Sequence, residues 1–179
     1  MDLLSSKEEV NIITIVRDPI SRNISSLFQA FEFMKEGKYK TEFNIREFDK
    51  LFYAKVDHQA PEKWFDYELK NNFGIDIYNY EFDIRKKHLV IKEGNLKLLI
   101  IRLEDFKELE KVMADFLCIN NFELINKNVS EVKWYSEVYE SFKRNFKPSK
   151  EYLDKYLNTK FTKHFYSEAE INKIYKKYL

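Results

Sequence analysis

The sequence predicts a helix-rich α/β fold in which helices pack on a small, partly parallel sheet. Two short apolar runs, 12–16 and 96–103, each pass into a stretch with apolar residues at helical spacing. The order strand, three helices, hairpin and helix is typical of an α/β domain with a small, partly parallel sheet. Glycine and proline number only three each, and scarce breakers favour helices over a many-stranded β fold. With 179 residues, we expect a single domain, 1–179.

The overall composition excludes several classes of function. The chain has 31 basic and 30 acidic residues, so there is no bulk electrostatic argument for nucleic-acid binding. No apolar run reaches the length of a membrane span. The first residues carry acids where a signal peptide has bases followed by a long apolar region. Cys118 is the only cysteine, which rules out an internal disulfide and suits a reducing compartment. We therefore predict a soluble, cytoplasmic protein.

The first element is a strand that passes directly into a helix. The apolar, largely β-branched run 12–16 predicts the strand. Asp18 is a suitable N-cap, and Pro19 suits the first helical turn because its missing N–H is not needed there. The helix that follows has one apolar face at spacings of three and four, made of Ile24, Leu27, Phe28, Phe31 and Met34.

The turn between this strand and helix has the features of an anion site. Free backbone N–H groups and the positive end of the helix dipole converge there. Arg17 stands at the end of the strand and Ser25 about two helical turns further on, so both side chains could reach one phosphate. A structural alternative is that Arg17 pairs with Asp18 or with a C-terminal acid, and that Ser25 is a small residue which allows close packing.

Two further helices precede the next strands. The first spans about 44–55, and the second about 61–72, which begins after a breaker-rich loop and stops before Gly74. The apolar spacing of the second helix predicts that Trp64, Phe65 and Leu69 point inward.

Three short strands are predicted in the middle of the chain. Residues 75–80 alternate between apolar and polar and predict a short strand. The runs 88–92 and 96–103 form a hairpin through Glu93-Gly94-Asn95. The second run is apolar almost throughout, which indicates a strand buried on both faces.

The remainder of the chain is predicted to be helical. A helix follows the last strand from Phe106 onward, and Ser130 caps another. Ser149 caps the next helix after a break at a proline. Ser167 and Glu170 have the spacing of a capping box, which opens the final helix.

Few residues in this sequence are typical of catalytic or metal sites. His58, His88 and His164 are isolated and lack the paired spacing of a metal site, so we expect no metal. His58 lies in a breaker-rich loop beside Glu62 and is a weak candidate for a general base, although an ordinary surface histidine is an equal alternative. Cys118 follows an apolar stretch and is expected in the core.

The segment 16–26, V-R-D-P-x-x-R-x-x-S-S, resembles the 3′-phosphate-binding segment of the sulfotransferase superfamily, which uses 3′-phosphoadenosine 5′-phosphosulfate (PAPS). In that family an Arg at the strand end and a Ser eight positions later hold the 3′-phosphate. The resemblance implies this role for Arg17 and Ser25, with PAPS or 3′,5′-adenosine bisphosphate as the cofactor and no metal. The segment 103–106, L-E-D-F, is similar to a second family segment whose acid is architectural, which implies a structural role for Glu104.

The segment 132–136, V-K-W-Y-S, resembles the signature of a bacterial capsular polysaccharide synthesis family within the sulfotransferase-like P-loop group. The segment 163–167, K-H-F-Y-S, is similar to that family's closing segment, so the resemblance extends from residue 12 to the C-terminus. It implies transfer of a sulfuryl group from PAPS to a carbohydrate hydroxyl in capsular or surface polysaccharide synthesis. The family often places further nucleotide contacts near the positions of Lys127 and Asn128, which makes these two residues weak candidates.

The phosphosulfate loop of the superfamily has no counterpart in the sequence. In that family a strand, a loop with Lys and a helix cradle the 5′-phosphosulfate. The three glycines are Gly37, Gly74 and Gly94, and none lies between a strand and a helix with a Lys just beyond. We therefore expect a sulfotransferase-like P-loop fold without its first strand–loop–helix, in a chain that looks N-terminally shortened and that alone is inactive or weakly active. A homodimer is one way to cover the sheet edge that such a loss exposes.

Two other functions remain open. A non-catalytic module with the same fold could keep the 3′-phosphate pocket and serve as a binding or scaffold partner in glycan assembly. A chain without that ancestry would be a helical interaction domain, with aromatic residues in a protein interface. The 16 phenylalanines and 12 tyrosines, however, are more simply explained as core and half-buried residues.

Overall fold

The computed structural model describes residues 8–33, 45–125 and 135–179. The strands are β1 (Val10–Val16), β2 (His88–Glu93) and β3 (Leu96–Arg102). The α-helices are α1 (Pro19–Phe33), α2 (Ile45–Lys55), α3 (Ala60–Phe65), α4 (Asn71–Phe73), α5 (Glu110–Leu117), α6 (Ser136–Asn145), α7 (Lys150–Leu157), α8 (Lys160–Phe165) and α9 (Glu168–Tyr178). A π-helix, Asp66–Lys70, joins α3 to α4, and 3₁₀ helices span Ile77–Asn79 and Leu103–Leu109. The predicted helix-rich α/β class is confirmed.

The sheet of the described residues has three strands in the order β1-β3-β2. β1 and β3 are parallel, with Val10 opposite Leu96 and Val16 opposite Arg102. β2 and β3 form an antiparallel hairpin, in which Gly94 has a φ of 59° that suits a tight turn. The partly parallel sheet and the hairpin are therefore as the sequence predicts.

The central strand β3 is buried on both faces, as its apolar sequence predicts. Its residues from Leu98 to Ile101 are all fully inaccessible to solvent. Leu98 and Ile100 pack into a core cluster with residues of α3 and α8, whereas Leu99 and Ile101 face Leu109 and α5. Helices on both faces of a strand exclude water from it, which accounts for the absence of polar residues between Leu98 and Ile101.

A second core cluster, rich in aromatic residues, lies among α1, α2, α6, α7 and α9. The ring of Phe28 stacks on that of Phe48 with a centroid distance of 4.9 Å, and Phe142 stacks on Phe146 at 4.8 Å. Most of the aromatic side chains that the structure describes are thus core residues. The cluster includes one face of α1, the helix that follows the carboxyl end of β1.

Residues 75–80 do not form the predicted strand. Ile75 and Ile77 are buried as the alternation indicates, but 77–79 form a 3₁₀ turn. The Asp76 side chain accepts a hydrogen bond from the Tyr78 N–H at 3.1 Å, and this local cap closes the turn. Period-two burial therefore arises here without a partner strand among the described residues.

The predicted helix caps at Ser149 and Ser167 are confirmed. Ser149 Oγ accepts from the Tyr152 N–H at 3.1 Å, and Ser167 and Glu170 form a complete capping box. The predicted cap at Ser130 lies outside the described residues.

The prediction that Cys118 belongs to the core is wrong. Cys118 is exposed and ends α5 in the left-handed conformation, with a φ of 54°. The chain leaves the helix at this residue, so the apolar stripe of α5 does not continue through it.

Candidate functional site

The carboxyl end of β1 and the first turns of α1 bring Arg17 and Ser25 into contact. Nη1 of Arg17 donates a hydrogen bond of 2.5 Å to Ser25 Oγ. Ser25 Oγ also lies 3.2 Å from the Tyr139 hydroxyl on α6. The structure thus brings together the two residues that the sequence analysis singled out, and adds a hydroxyl that it did not. Binding of a phosphate by these residues stays a prediction.

Arg17 has a positive charge that no described carboxylate neutralises at ion-pairing distance. Its pairing with Asp18 or with an acid of the C-terminal segment, the structural alternative, is not seen among the described residues. Lys143 Nζ lies 5.4 Å from the ring centre of Tyr139, but it is paired with Glu140 at 3.2 Å. Arg17, Ser25 and Tyr139 therefore form a group of hydrogen-bonding side chains whose excess positive charge comes from Arg17, which is suited to an anion.

Carboxylates accept two of the backbone N–H groups at the N-terminus of α1, so this turn has fewer free donors than the sequence predicts. Asp18 Oδ1 accepts from the Ser21 N–H at 2.8 Å, which confirms Asp18 as the N-cap. Glu104 Oε1 accepts from the Asp18 N–H at 3.0 Å. Two carboxyl groups at this helix end accept two of its N–H groups and repel a further anion. The positive charge near this turn is therefore that of Arg17 rather than that of the helix end.

Glu104 connects three parts of the fold. Besides the Asp18 N–H, it accepts a hydrogen bond of 3.1 Å from the hydroxyl of Tyr166, which follows α8. Partial burial raises the pKa of the Glu104 carboxyl, and the nearby charge of Asp18 acts in the same direction. Burial likewise raises the pKa of Tyr166 far above its usual range, so the hydroxyl remains a donor. These contacts are consistent with a structural role for Glu104.

A cleft of about 300 Å³ opens beside Arg17 at the end of β1. The lining of the cleft includes two arginines, Arg17 and Arg22. It also includes Trp64 and Pro61 of α3 and Phe161 of α8. A lining with both cationic and aromatic residues suits a ligand that has both an anionic group and a flat or apolar part.

Trp64 points into this cleft, so the prediction that it faces inward is wrong. Trp64 is 41% exposed, whereas Phe65 and Leu69 are buried, as predicted. Phe65 and Leu69 are four residues apart and share one face of the helical segment, and Trp64 lies about 100° around the axis from Phe65. A single-residue offset therefore places the indole ring at the surface.

Sequence reasoning did not single out Arg22, although it is the second arginine of the R-D-P-x-x-R segment. Its Nη1 donates to the Asn23 side-chain oxygen at 3.1 Å and to the Asp57 carbonyl at 3.2 Å. Burial lowers the pKa of Arg22, and the negative charge of Asp57 opposes this. The two hydrogen bonds hold the guanidinium on the cleft wall.

His58 does not line the cleft. Its Nδ1 lies 2.9 Å from the Tyr152 hydroxyl and 3.3 Å from Nδ2 of the fully buried Asn23. Because the Asn23 amide can only donate, we assign Nδ1 as the acceptor and Nε2 as the protonated nitrogen. Burial lowers the pKa of His58, and a hydrogen bond with the Phe52 backbone acts in the opposite direction. The basic lone pair is already occupied, so this arrangement gives no support to His58 as a general base.

Several other expected residues lie outside the described part of the chain, namely Lys127, Asn128, Lys133 and Trp134. In the residues that the structure describes, no three His, Cys, Asp or Glu side chains are grouped so as to hold a metal ion. No helix in that part of the chain combines the length and apolar character needed to span a bilayer.

Comparison with known proteins identifies one family. The sequence model of the family described as "putative capsular polysaccharide synthesis protein" matches residues 37–167, which is most of the chain and includes the K-W-Y-S segment 133–136. Arg17 and Ser25 precede the matched region. No curated protein and no solved structure matches the chain. The predicted resemblance to this family is confirmed, and the chain belongs to the "putative capsular polysaccharide synthesis protein" family.

Proposed function

We propose that this protein binds the 3′-phosphate of PAPS or of 3′,5′-adenosine bisphosphate at Arg17 and Ser25, and that it serves the transfer of a sulfuryl group to a carbohydrate hydroxyl in capsular polysaccharide synthesis. The observation that carries the proposal is the Arg17–Ser25 contact of 2.5 Å, made by an arginine without a described carboxylate partner. The family match supports the biological setting.

Arg17 lines the cleft and contacts Ser25, so the side chains around it suit such a nucleotide. A guanidinium can form two parallel hydrogen bonds to phosphate oxygens, and the Ser25 and Tyr139 hydroxyls can donate to the same group. Trp64 is an exposed aromatic residue in the lining of the same cleft, against which an adenine or ribose can pack. The Asp18 and Glu104 carboxyls at the N-terminus of α1 direct the phosphate toward Arg17.

One observation favours a second candidate, binding without catalysis. Among the described residues that line the cleft, none is a histidine or a carboxylate that could accept the proton of a sugar hydroxyl. His58, the sequence-based candidate, lies outside the cleft with its acceptor nitrogen occupied. A non-catalytic module of glycan assembly would keep the phosphate pocket and need no base.

Calorimetric titration with 3′,5′-adenosine bisphosphate tests the binding step. We expect the wild-type protein to bind it at least tenfold more tightly than 5′-AMP, which lacks the 3′-phosphate. Arg17→Ala should weaken binding of the bisphosphate by about 10- to 100-fold, the effect of losing a charge-assisted hydrogen bond of about 1.5–3 kcal/mol. Arg85→Ala, at an exposed position away from the cleft, is the matched control. Equal affinity for the two nucleotides, or an unaffected Arg17→Ala variant, would contradict the proposal.

The chemical step is tested separately with labelled PAPS and an oligosaccharide acceptor. Arg17-dependent labelling of the sugar supports the sulfotransferase. Arg17-dependent binding of the bisphosphate without labelling supports the non-catalytic module.

A further inference from the structure

Within the part of the chain that the structure describes, the outer edge of β1 presents a row of backbone groups without a partner strand. The Val10 N–H donates to the Asn95 carbonyl at 2.8 Å, so Val10 directs its backbone groups toward β3. In a parallel pair this direction alternates from residue to residue. The N–H and C=O groups of Asn11, Ile13 and Ile15 therefore point away from β3, and no described strand lies on that side.

This edge lacks the features that usually protect an edge strand. Natural edges carry proline, lysine, a bulge or a very short strand, because an exposed ladder recruits other chains. β1 has seven residues, V-N-I-I-T-I-V, without a charge, a proline or a glycine. Ile15 is 47% exposed, and Ile13 is only partly buried. Among the described residues, no strand pairs with this edge, and its last residues border the cleft beside α3.

We propose that the occupant of this edge is the β1 strand of a second copy of the chain, paired antiparallel about a two-fold axis at Ile13. In this register Ile13 lies opposite its own copy, and Asn11 lies opposite Ile15. All three outward-facing residues then fall in hydrogen-bonded pairs, which is the condition for an antiparallel ladder. The two strands overlap over their whole length, and the interface is isologous.

Charge complementarity selects this partner and this register. Glu9 and Arg17 lie four positions before and after Ile13, so each copy places Glu9 opposite Arg17 of the other. Because Arg17 and Ile15 also line the cleft of the proposed nucleotide site, this pairing and a bound nucleotide exclude each other. Any other register separates these two opposite charges. Glu9 already pairs with Lys97 of its own chain at 2.8 Å, but its side chain is 47% exposed and can contact a second cation. Opposite charges at facing positions favour pairing of two strands.

Disulfide trapping tests the register. In a Cys118→Asn background, which removes the native thiol with a residue that tolerates positive φ, Ile13→Cys should oxidise to a covalent dimer. Facing residues of a hydrogen-bonded antiparallel pair have Cα atoms about 5.5 Å apart, which is within disulfide range. Ile15→Cys is the matched control, because in this register residue 15 of one copy lies on the order of 13 Å from residue 15 of the other. The double variant Asn11→Cys/Ile15→Cys should crosslink again.

Sedimentation tests the association itself. We expect a wild-type dimer and an Ile13→Pro monomer, since proline removes an outward N–H that the β1–β3 ladder does not use. Glu9→Arg places a positive charge opposite Arg17 of the partner and should weaken the dimer at least tenfold. Lys97→Ala removes only the intrachain ion pair and should leave the dimer intact. Circular dichroism confirms that each variant is folded.

Three results would overturn the proposal. One is a monomeric wild-type protein together with an Ile13→Cys variant that does not crosslink. This result is expected if another segment covers the edge. Another is a dimer that survives Ile13→Pro, which would locate the interface elsewhere. The third is crosslinking of Ile15→Cys alone as efficiently as Ile13→Cys, which would exclude the register.

Discussion

Replacement of Arg102 by alanine is expected to destabilise the fold more than most single substitutions. Arg102 is only 3% exposed, at the end of the central strand β3. Its guanidinium donates to Asp105 at 2.5 Å, to the Phe165 carbonyl at 3.1 Å and to Glu170 at 2.8 Å. It thereby connects β3 to the end of α8 and to α9.

The magnitude follows from what the truncation leaves behind. Asp105 is 7% exposed and would keep only Lys87, at 3.1 Å, as a counter-charge. Removing one partner of a buried ion pair costs about 3–5 kcal/mol, because the other charge remains buried and uncompensated. The remaining Lys87 contact argues for the lower end of that range. Typical domains have a total stability of about 5–15 kcal/mol, so the loss would be a large part of it.

Urea denaturation at pH 7 measures this loss as the change in the free energy of unfolding. Lys87→Ala, which removes more exposed ion pairs to Asp105 and Glu108, is the control and should cost less than Arg102→Ala. The double variant Arg102→Met/Asp105→Leu should recover most of the stability, since an apolar pair leaves no buried charge. A loss below about 1 kcal/mol for Arg102→Ala, or a double variant no better than the single one, would refute the reasoning.

Three smaller effects are expected. Burial lowers the pKa of His58 and of His164, so the unfolded chain binds protons more readily and stability should fall as the pH drops below their ordinary value of 6.5. His58→Gln should reduce this slope between pH 8 and 5, and an unchanged slope would contradict the assignment. Ser167→Ala should lower the melting temperature through a loss of about 1 kcal/mol, because it breaks the capping box with Glu170; an unchanged melting temperature would contradict this. Cys118→Gly should raise the melting temperature by relieving the left-handed backbone, and a decrease would count against the strain there.

The parts of the fold that depend on local signals could be predicted from the sequence. β1 and β3 follow from β-branched and apolar runs, the hairpin from its glycine turn, and the caps at Ser149 and Ser167 from side chains that bond within three residues. The direct contact of Arg17 and Ser25 follows from a strand that continues directly into a helix. In each case the interaction lies within a short stretch of chain.

What could not be predicted depends on residues far apart in the sequence. Glu104 closes the N-terminus of α1 from 86 residues away, and Tyr139 reaches Ser25 from 114 residues away. Trp64 lies at the surface because the side of α3 that faces the core carries Phe65 and not Trp64. Apolar spacing alone could not distinguish these two neighbouring residues. The candidate anion site therefore has other donors than the sequence predicts, although Arg17 and Ser25 at its centre are the residues that the sequence indicates.

The parallel pairing of β1 with β3 has a consequence for the synthesis of the chain. Residues of β1 are translated about 86 residues before their partners in β3. At about 5–20 residues per second, the ribosome reaches β3 on the order of 4–17 s later. The hairpin β2–β3 closes locally, whereas β1 must wait and then close a long loop. During that interval the nascent chain carries an unpaired, uncharged strand, and this segment is the natural target for a chaperone that binds extended apolar sequence.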